Sequence, residues 1–303
     1  MKRIHKVLII LFPLFSQMAS AGSWEDRRSK LDQVAIYGEY RIFYSLSGKD
    51  ALPKHRKVDS DKSGLPDFIE SVGRRLTDAD RFFRSEVGLV PPLKSKRYIG
   101  KAHYIDVNML DFSNNKKGPK NGVAYDGTPK FNRARSGQVS RNVLVIDLSG
   151  SVRLKTHSVE HELFHLYQNG YTFFKNRWYT EGTARWSEKI IEGRIGSSEL
   201  LPDSKFTRDK IFKKNYDASN FWNELIIKVD KKSQGKRFIK IFLEELDYAD
   251  NIAARKRGLS DSYWKESEQR STDNNIYIWK ATLKAIQRVG RSSDDEIKKL
   301  YKI

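Results

Sequence analysis

The period of the apolar positions changes from segment to segment along the chain, and the changes separate strands from helices. Tyr37-Gly-Glu-Tyr-Arg-Ile-Phe-Tyr44 alternates apolar and polar residues in the manner of a strand. From Asp67 to about Val87 the residues Ile69, Val72, Leu76, Ala79 and Phe83 recur at helical spacing, and Gly88 with Pro91-Pro92 closes the segment. Residues 102–110 and 142–148 read as strands, and residues 111–140 between them are rich in Asn, Gly and Lys. So long a connection without periodicity reads as a lid, a binding loop or a disordered insertion. The spacing predicts a helix from about Thr156 to Gln168, stopped by Asn169-Gly170, and another from near Thr180 to about Ile191. Beyond Gly193 the pattern is helical over 218–229, 235–246 and 276–289, and Ser293-Asp-Asp-Glu296 resembles a capping box opening a last short helix. The expected class is α+β, with a mixed lobe over 22–195 and a helical lobe over 196–303 that share a core.

The first 21 residues fall outside this pattern. Lys2, Arg3 and Lys6, the apolar run from Val7 to Met18 and the small residues Ala19-Ser20-Ala21 have the form of a secretion signal, with the mature chain starting at Gly22. The run is too short for a bilayer core of about 30 Å, and Pro13 interrupts it, so no membrane span is expected in the mature chain. The expected location is secreted or periplasmic. The 303 residues contain no cysteine, so neither disulfides nor thiolate-bound metal are available, and any metal site must use His, Asp and Glu. The formal charge of +19 falls to +16 without the three basic residues of the signal. Such a charge attracts anionic surfaces. The basic residues are scattered in small groups such as Lys116, Lys117 and Lys120 or Lys228, Lys231 and Lys232, without the aromatic pattern of a nucleic-acid module, so no specific nucleic acid is expected as a partner.

His161-Glu162-Leu163-Phe164-His165 places two imidazoles four residues apart on one helical face, where one metal can bridge them. Glu162 is offset around the helix, the position of a general base that activates water. His157 is also four residues from His161, but Ser158 stands where that base would be, so His157 is read as a bystander. The competing reading is an amphipathic helix whose histidines are hydrogen-bonded core residues. A catalytic zinc needs a third protein ligand and an open fourth position. Glu181 in Trp178-Tyr-Thr-Glu-Gly-Thr-Ala-Arg-Trp-Ser-Glu188 is the candidate, since Gly182 and Ala184 would let the second helix approach the first; the alternative is an exposed Glu in a first helical turn.

The two segments together resemble those of the gluzincins, the zinc peptidases that include thermolysin-like and alanyl-aminopeptidase-like enzymes, in which a segment similar to Trp178-x-x-Glu181-Gly182-x-Ala184 gives the third ligand. The resemblance implies a zincin-like mixed lobe that carries the metal-binding helix. Thermolysin-like enzymes carry an Asp four residues after the third ligand, where this chain has Arg185. Glu188, on the same helical face as Glu181, is the alternative partner for a ligating imidazole, unless it is a surface residue paired with Lys189 or Arg185. By analogy with the aminopeptidase-like members, Tyr216 is the candidate donor to the oxyanion, the competing reading being a plain core residue at a helix start.

Upstream, the segment from Asp59 to Glu70 fits a twelve-position calcium loop, with side-chain oxygens on Asp59, Asp61, Ser63, Asp67 and Glu70, Gly64 at the sixth place and the Leu65 carbonyl at the seventh. Only the following helix is evident, so a stabilising calcium site is expected rather than a sensor; an acidic turn that caps the helix is the alternative. A similar segment precedes the zinc motif in a group of bacterial secreted metalloproteases, and the resemblance covers roughly residues 41–222. The implied activity is hydrolysis of a peptide or protein substrate by a zinc-dependent peptidase. The other reading is a metal-stabilised protein without turnover that binds anionic surfaces.

Overall fold

The computed structural model describes residues 18–113, 120–260, 262–291 and 293–303. Most of the expected signal segment, residues 1–17, and also Lys116 and Lys117, therefore lie outside the described residues. A helix, α1 (Met18–Ser29), stands where a polar lead into the mature chain was expected. The alternating segment is not one strand. It is interrupted at Gly38, whose φ of 61° makes the tight turn between β1 (Gln33–Tyr37) and β2 (Tyr40–Tyr44). Helix α2 (Asp67–Phe82) continues into a wider last turn to Val87 and ends at left-handed Gly88, as the spacing predicts. Strand β3 (Tyr104–Leu110) follows, then β4 (Gly122–Tyr125) and β5 (Val143–Ser149). Strand β4 lies inside the stretch expected to be loop. It was hidden because four residues between Gly/Asn-rich flanks carry too little periodicity to register.

The five strands form one mixed sheet in the order β1-β2-β3-β5-β4, with β2, β3 and β5 parallel and both edge strands antiparallel to their neighbours. The central strands are buried on both faces, but the faces differ in chemistry. Ile42, Ile105, Val107, Leu144, Ile146 and Leu148 join the main apolar core. The alternate residues Arg41, Asp106, Asn108 and Asp147 are also buried. Arg41 Nε donates to Asp106 Oδ1 at 2.8 Å, Arg133 Nη2 reaches both Asp106 Oδ2 at 2.9 Å and Asn108 Oδ1 at 2.8 Å, and Arg28 Nε donates to Asp147 Oδ1 at 3.0 Å. This network fastens α1 and the 126–142 connection to the back of the sheet.

The core face is covered by α2 and by α3 (Ser158–Tyr171). Helix α3 runs through Asn169-Gly170 rather than stopping there, because Gly170 packs against Ser95, whose Cβ would lie 2.9 Å from an added methyl group. Helix α4 (Arg177–Ile191) starts three residues before the expected Thr180, so Glu181 falls in its second turn. The remaining chain is helical: α5 (Lys205–Phe212), which periodicity did not reveal, then α6 (Ser219–Asp230), α7 (Lys236–Arg257), α8 (Glu266–Gln269), α9 (Asn274–Val289) and α10 (Asp295–Leu300). The cap of α10 is Asp294, which accepts from the Glu296 and Ile297 N–H groups, rather than Ser293. Helix α7 extends eleven residues past the expected end at Leu246, to Arg257, and is closed by left-handed Gly258. One continuous set of buried apolar side chains runs from Ala35 to Leu300, so the sheet and the later helices share a core in a mixed α+β fold. No helix among the described residues is long and apolar enough to cross a membrane.

Replacing Asp106 by Ala leaves Arg41 and Arg133 buried without their shared carboxylate. The expected loss is about 3–5 kcal/mol, the cost of breaking a buried ion pair from one side. It is read as a lower urea midpoint at unchanged slope.

Candidate metal centre

Helix α3 presents His161 and His165 on one face, and α4 lays Glu181 against them. His165 Nε2 lies 3.1 Å from His161 Nε2, Glu181 Oε2 lies 3.2 Å from His161 Nε2, and the third side of the triangle, Glu181 Oε2 to His165 Nε2, is 3.5 Å. A tetrahedral ion with ligand bonds of about 2.0–2.1 Å separates its ligand atoms by about 3.3–3.4 Å. The triangle therefore has the dimensions of one face of such a coordination shell.

The partners of the other ring nitrogens identify the tautomers. Gln168 Nε2 donates to the Thr180 carbonyl at 2.9 Å and to Thr183 Oγ1 at 2.7 Å, which turns Gln168 Oε1 to His165 Nδ1 at 2.7 Å. His161 Nδ1 is 2.8 Å from Glu188 Oε1, a carboxylate oxygen that can only accept. Both Nδ1 atoms therefore carry hydrogen, and in neutral rings both Nε2 atoms point lone pairs at Glu181. Three acceptors that face one another require a positive charge between them. The same requirement sets the pKa values of the cluster's own groups. Burial opposes a charge on His161, but Glu181 and Glu188 outweigh it and push its pKa up to about 10. Burial likewise opposes ionisation of Glu181, and the two imidazoles outweigh it, holding the carboxyl well below the usual range. A divalent ion would take the place of that proton.

Glu162 is buried beside the triangle under β4. Its carboxyl is raised by burial, against the pull of His161 and His165 and of the Ala124 backbone N–H. Gly122 makes room for it: a Cβ there would sit 2.7 Å from Glu162 Cγ and 2.8 Å from Leu148 Cδ2. Tyr216, in a single 3-10 turn before α6, holds its ring centroid 5.9 Å from that of His161. Burial, then Glu181 and Glu162, push its hydroxyl up to about 12, so it remains an O–H donor at neutral pH. His161, His165, Glu162, Glu181, Glu188 and Tyr216 all line one cavity of ≈ 890 Å³, walled on one side by Gly122, Val123 and Ala124 of the sheet edge.

The supports of the triangle correct one expectation and add two residues. Gly182 does not serve the approach of α4 to α3. The space of its missing side chain is filled by the Trp222 indole, with Cδ1 2.5 Å from an added Cβ, so it brings α6 onto α4. Arg185, at the place where an acid was sought, donates to Glu188 Oε2 at 3.1 Å, so Glu188 touches both His161 and Arg185. Gln168 and Gly122 were missed by sequence reading. A Gln three residues after a His is too common to stand out, and Gly122 lay within the stretch read as loop. His157 stays apart from the triangle, with Nε2 2.8 Å from Glu192 Oε1 and Nδ1 2.8 Å from Arg75 Nη2.

In the upstream loop, Asp59, Asp61 and Asp67 each bring a carboxylate oxygen within 4.8 Å of the others. Ser63 Oγ lies 2.9 Å from Glu70 Oε1 and 3.5 Å from the Leu65 carbonyl, while the Ser63 N–H donates to Asp59 at 3.0 Å and Asp61 at 3.1 Å. Gly64 has φ of 89°, the left-handed turn that folds the loop back on itself. Helix α2 starts at Asp67, and before the loop there is a single 3-10 turn at Lys54–Arg56. The donor set is all oxygen, the chemistry of a hard cation.

No protein-family model, curated protein or solved structure matches the chain. The site is therefore read from its own geometry.

Removing the Gln168 amide, as in Gln168→Leu, frees the His165 ring to rotate and to change tautomer. The expected result is a 10- to 100-fold loss of divalent-metal affinity, on the order found when outer partners of ligating histidines are removed. Competition with a chromophoric chelator measures it.

Proposed function

We propose that the chain is a secreted zinc-dependent peptidase of the gluzincin type, with His161, His165 and Glu181 as the zinc ligands. The observation that carries the proposal is the triangle of three lone-pair atoms, 3.1–3.5 Å on a side, with a buried carboxylate beside it and a cavity on its open side. Two nitrogens and one oxygen suit zinc, and three protein ligands leave a position free for reaction. Bound zinc supplies Lewis acidity, polarising a carbonyl and acidifying water.

The chain's own residues supply the rest. Glu162 takes the proton of the attacking water and returns it to the leaving amine, a task for which a carboxyl raised by burial is suited. Tyr216 donates its O–H to the oxygen of the tetrahedral species. Glu188 and Gln168 hold the two imidazoles in one tautomer. Among the described residues strand β4 pairs with β5 alone, so its other edge offers backbone groups along the cavity to which an extended peptide can add as a further strand. That free edge beside the triangle is what favours a peptide over another acyl substrate.

Zinc analysis of the purified protein is expected to give about one ion per chain. Glu162→Gln should retain that zinc and lose about 10²- to 10⁴-fold in kcat/KM on a mixed peptide library, the range for removal of a general base. A zinc-loaded wild-type protein that cleaves no member of the library refutes the proposal and leaves the metal-stabilised binding protein as the reading.

For the loop from Asp59 to Glu70 we propose a stabilising calcium site. With the weak affinities of extracellular sites, about 10 mM calcium should raise Tm by about 3–5 °C over the chelated protein. Asp59→Ala should abolish the difference; equal melting of the wild type in calcium and in chelator refutes the site.

A further inference from the structure

Five cationic side chains line the cavity of the metal centre: Lys120, Lys175, Arg177, Arg185 and Arg270. Lys175 Nζ is 2.8 Å from Asp126, Arg270 Nε is 2.9 Å from Glu266 and Arg185 Nη1 is 3.1 Å from Glu188. Arg177 differs. Among the described residues its one ion-pair contact is Glu181 Oε1 at 4.0 Å, and its side chain is 58% exposed. Glu181 is already engaged through Oε2 with both imidazoles, so it is a weak partner for Arg177.

The two arginines of α4 are placed with respect to the triangle. Arg177 and Arg185 stand four residues before and four residues after Glu181, so all three project from one face of the helix, one turn apart. Tyr216, the proposed donor to the reacting oxygen, lines the same cavity as both arginines. The acids of the cavity offer Arg177 little: Glu181 Oε2 is engaged with His161 and His165, Glu188 is shared between His161 and Arg185, and Glu162 is buried under β4. A concave site with uncompensated positive charge concentrates anions, and a guanidinium offers a planar fork that matches a carboxylate.

We propose that Arg177 and Arg185 form a carboxylate-recognition site, so that the accepted peptide carries a carboxylate beside the bond presented to Glu162. The proposal rests on the peptidase reading. Its carboxylate has two sources, an acidic side chain or the C-terminus of the substrate. Arg177 contributes more than Arg185, which already shares Glu188.

The test reads binding without turnover. Fluorescence anisotropy on zinc-loaded Glu162→Gln protein compares four labelled peptides: a Glu sequence and its Gln counterpart, each with a free and an amidated C-terminus. The expected result is about tenfold tighter binding of the carboxylate-bearing member, the scale of one charge-assisted hydrogen bond. The preference should weaken with salt, vanish in Arg177→Gln/Arg185→Gln and persist in Arg177→Lys, which keeps the charge. A gain from Glu at either terminus assigns the side chain as the source, and a gain confined to free C-termini assigns the terminal carboxylate. Equal affinity for all four peptides overturns the proposal, as does a preference that survives loss of both arginines. A protein that discriminates among the peptides while the wild type cuts none refutes the peptidase reading and leaves the recognition site standing.

Discussion

Two imidazole nitrogens and a carboxylate oxygen within 3.1–3.5 Å of one another repel unless a positive charge lies among them. The packing of α4 on its neighbours sets that distance, whether the charge among the three atoms is a proton on His161 or an ion. Trp178 stacks on Trp222 with ring centroids 5.4 Å apart, the Trp222 indole fills the notch at Gly182, and Trp186 packs on Phe164 of α3 at 5.8 Å. Truncating a buried Trp costs about 3–5 kcal/mol, so two or three such side chains can hold the three atoms at that distance. The charge that relieves the contact is then bound by a preformed site.

The sheet divides its two faces by the same logic. Its apolar face carries α2 and α3, and thereby fixes the height of α3 above the strands. The opposite face spends its inward positions on Asp106, Asn108 and Asp147, satisfied by arginines that come from α1, β2 and the connection after β4. Because Arg133 lies in that connection, the buried network also fixes where β4 meets β5. Strand β4 in turn leaves room at Gly122 for Glu162 and turns the Ala124 N–H toward its carboxylate. The position of the proposed base thus depends on ion pairs on the far face of the sheet.

What was legible in the sequence follows from the range of each interaction. The spacing of His161, Glu162 and His165 is set within one helical turn, and so are the register of α2 and the oxygen positions of the loop from Asp59 to Glu70; local periodicity carries all of these. Glu181 was legible because the demand for a third ligand met a segment whose glycine and alanine marked a close helix contact, although the glycine serves α6 rather than α3. The partnership of Arg28 with Asp147 spans 119 residues and that of Arg41 with Asp106 spans 65, and no local pattern signals such pairings. Strand β4 was illegible for another reason. An edge strand of four half-buried residues is specified by its neighbour β5 rather than by its own alternation.

The loop at Asp59 and the metal centre, far apart in sequence, share one mechanical element. Helix α2 begins inside the loop at Asp67 and passes behind α3, where Arg75 pairs with Glu160 at 2.6 Å and with the His157 ring at 2.8 Å, while Phe83 packs on both Phe164 and Tyr167 at 5.3 Å. Arg75 is eight residues into α2, about 12 Å from its start. Glu160 and His157 belong to the first turn of α3 and to the residue that opens it, immediately before the proposed ligand His161. A cation bound at the proposed site in the loop would therefore anchor the start of the helix against which α3 is seated. Fraying of α2 as far as Arg75 would leave the buried Glu160 carboxylate without its guanidinium, one residue from the triangle. Stability contributed by a cation at the exposed oxygen cluster would in this way reach the buried nitrogen and oxygen cluster.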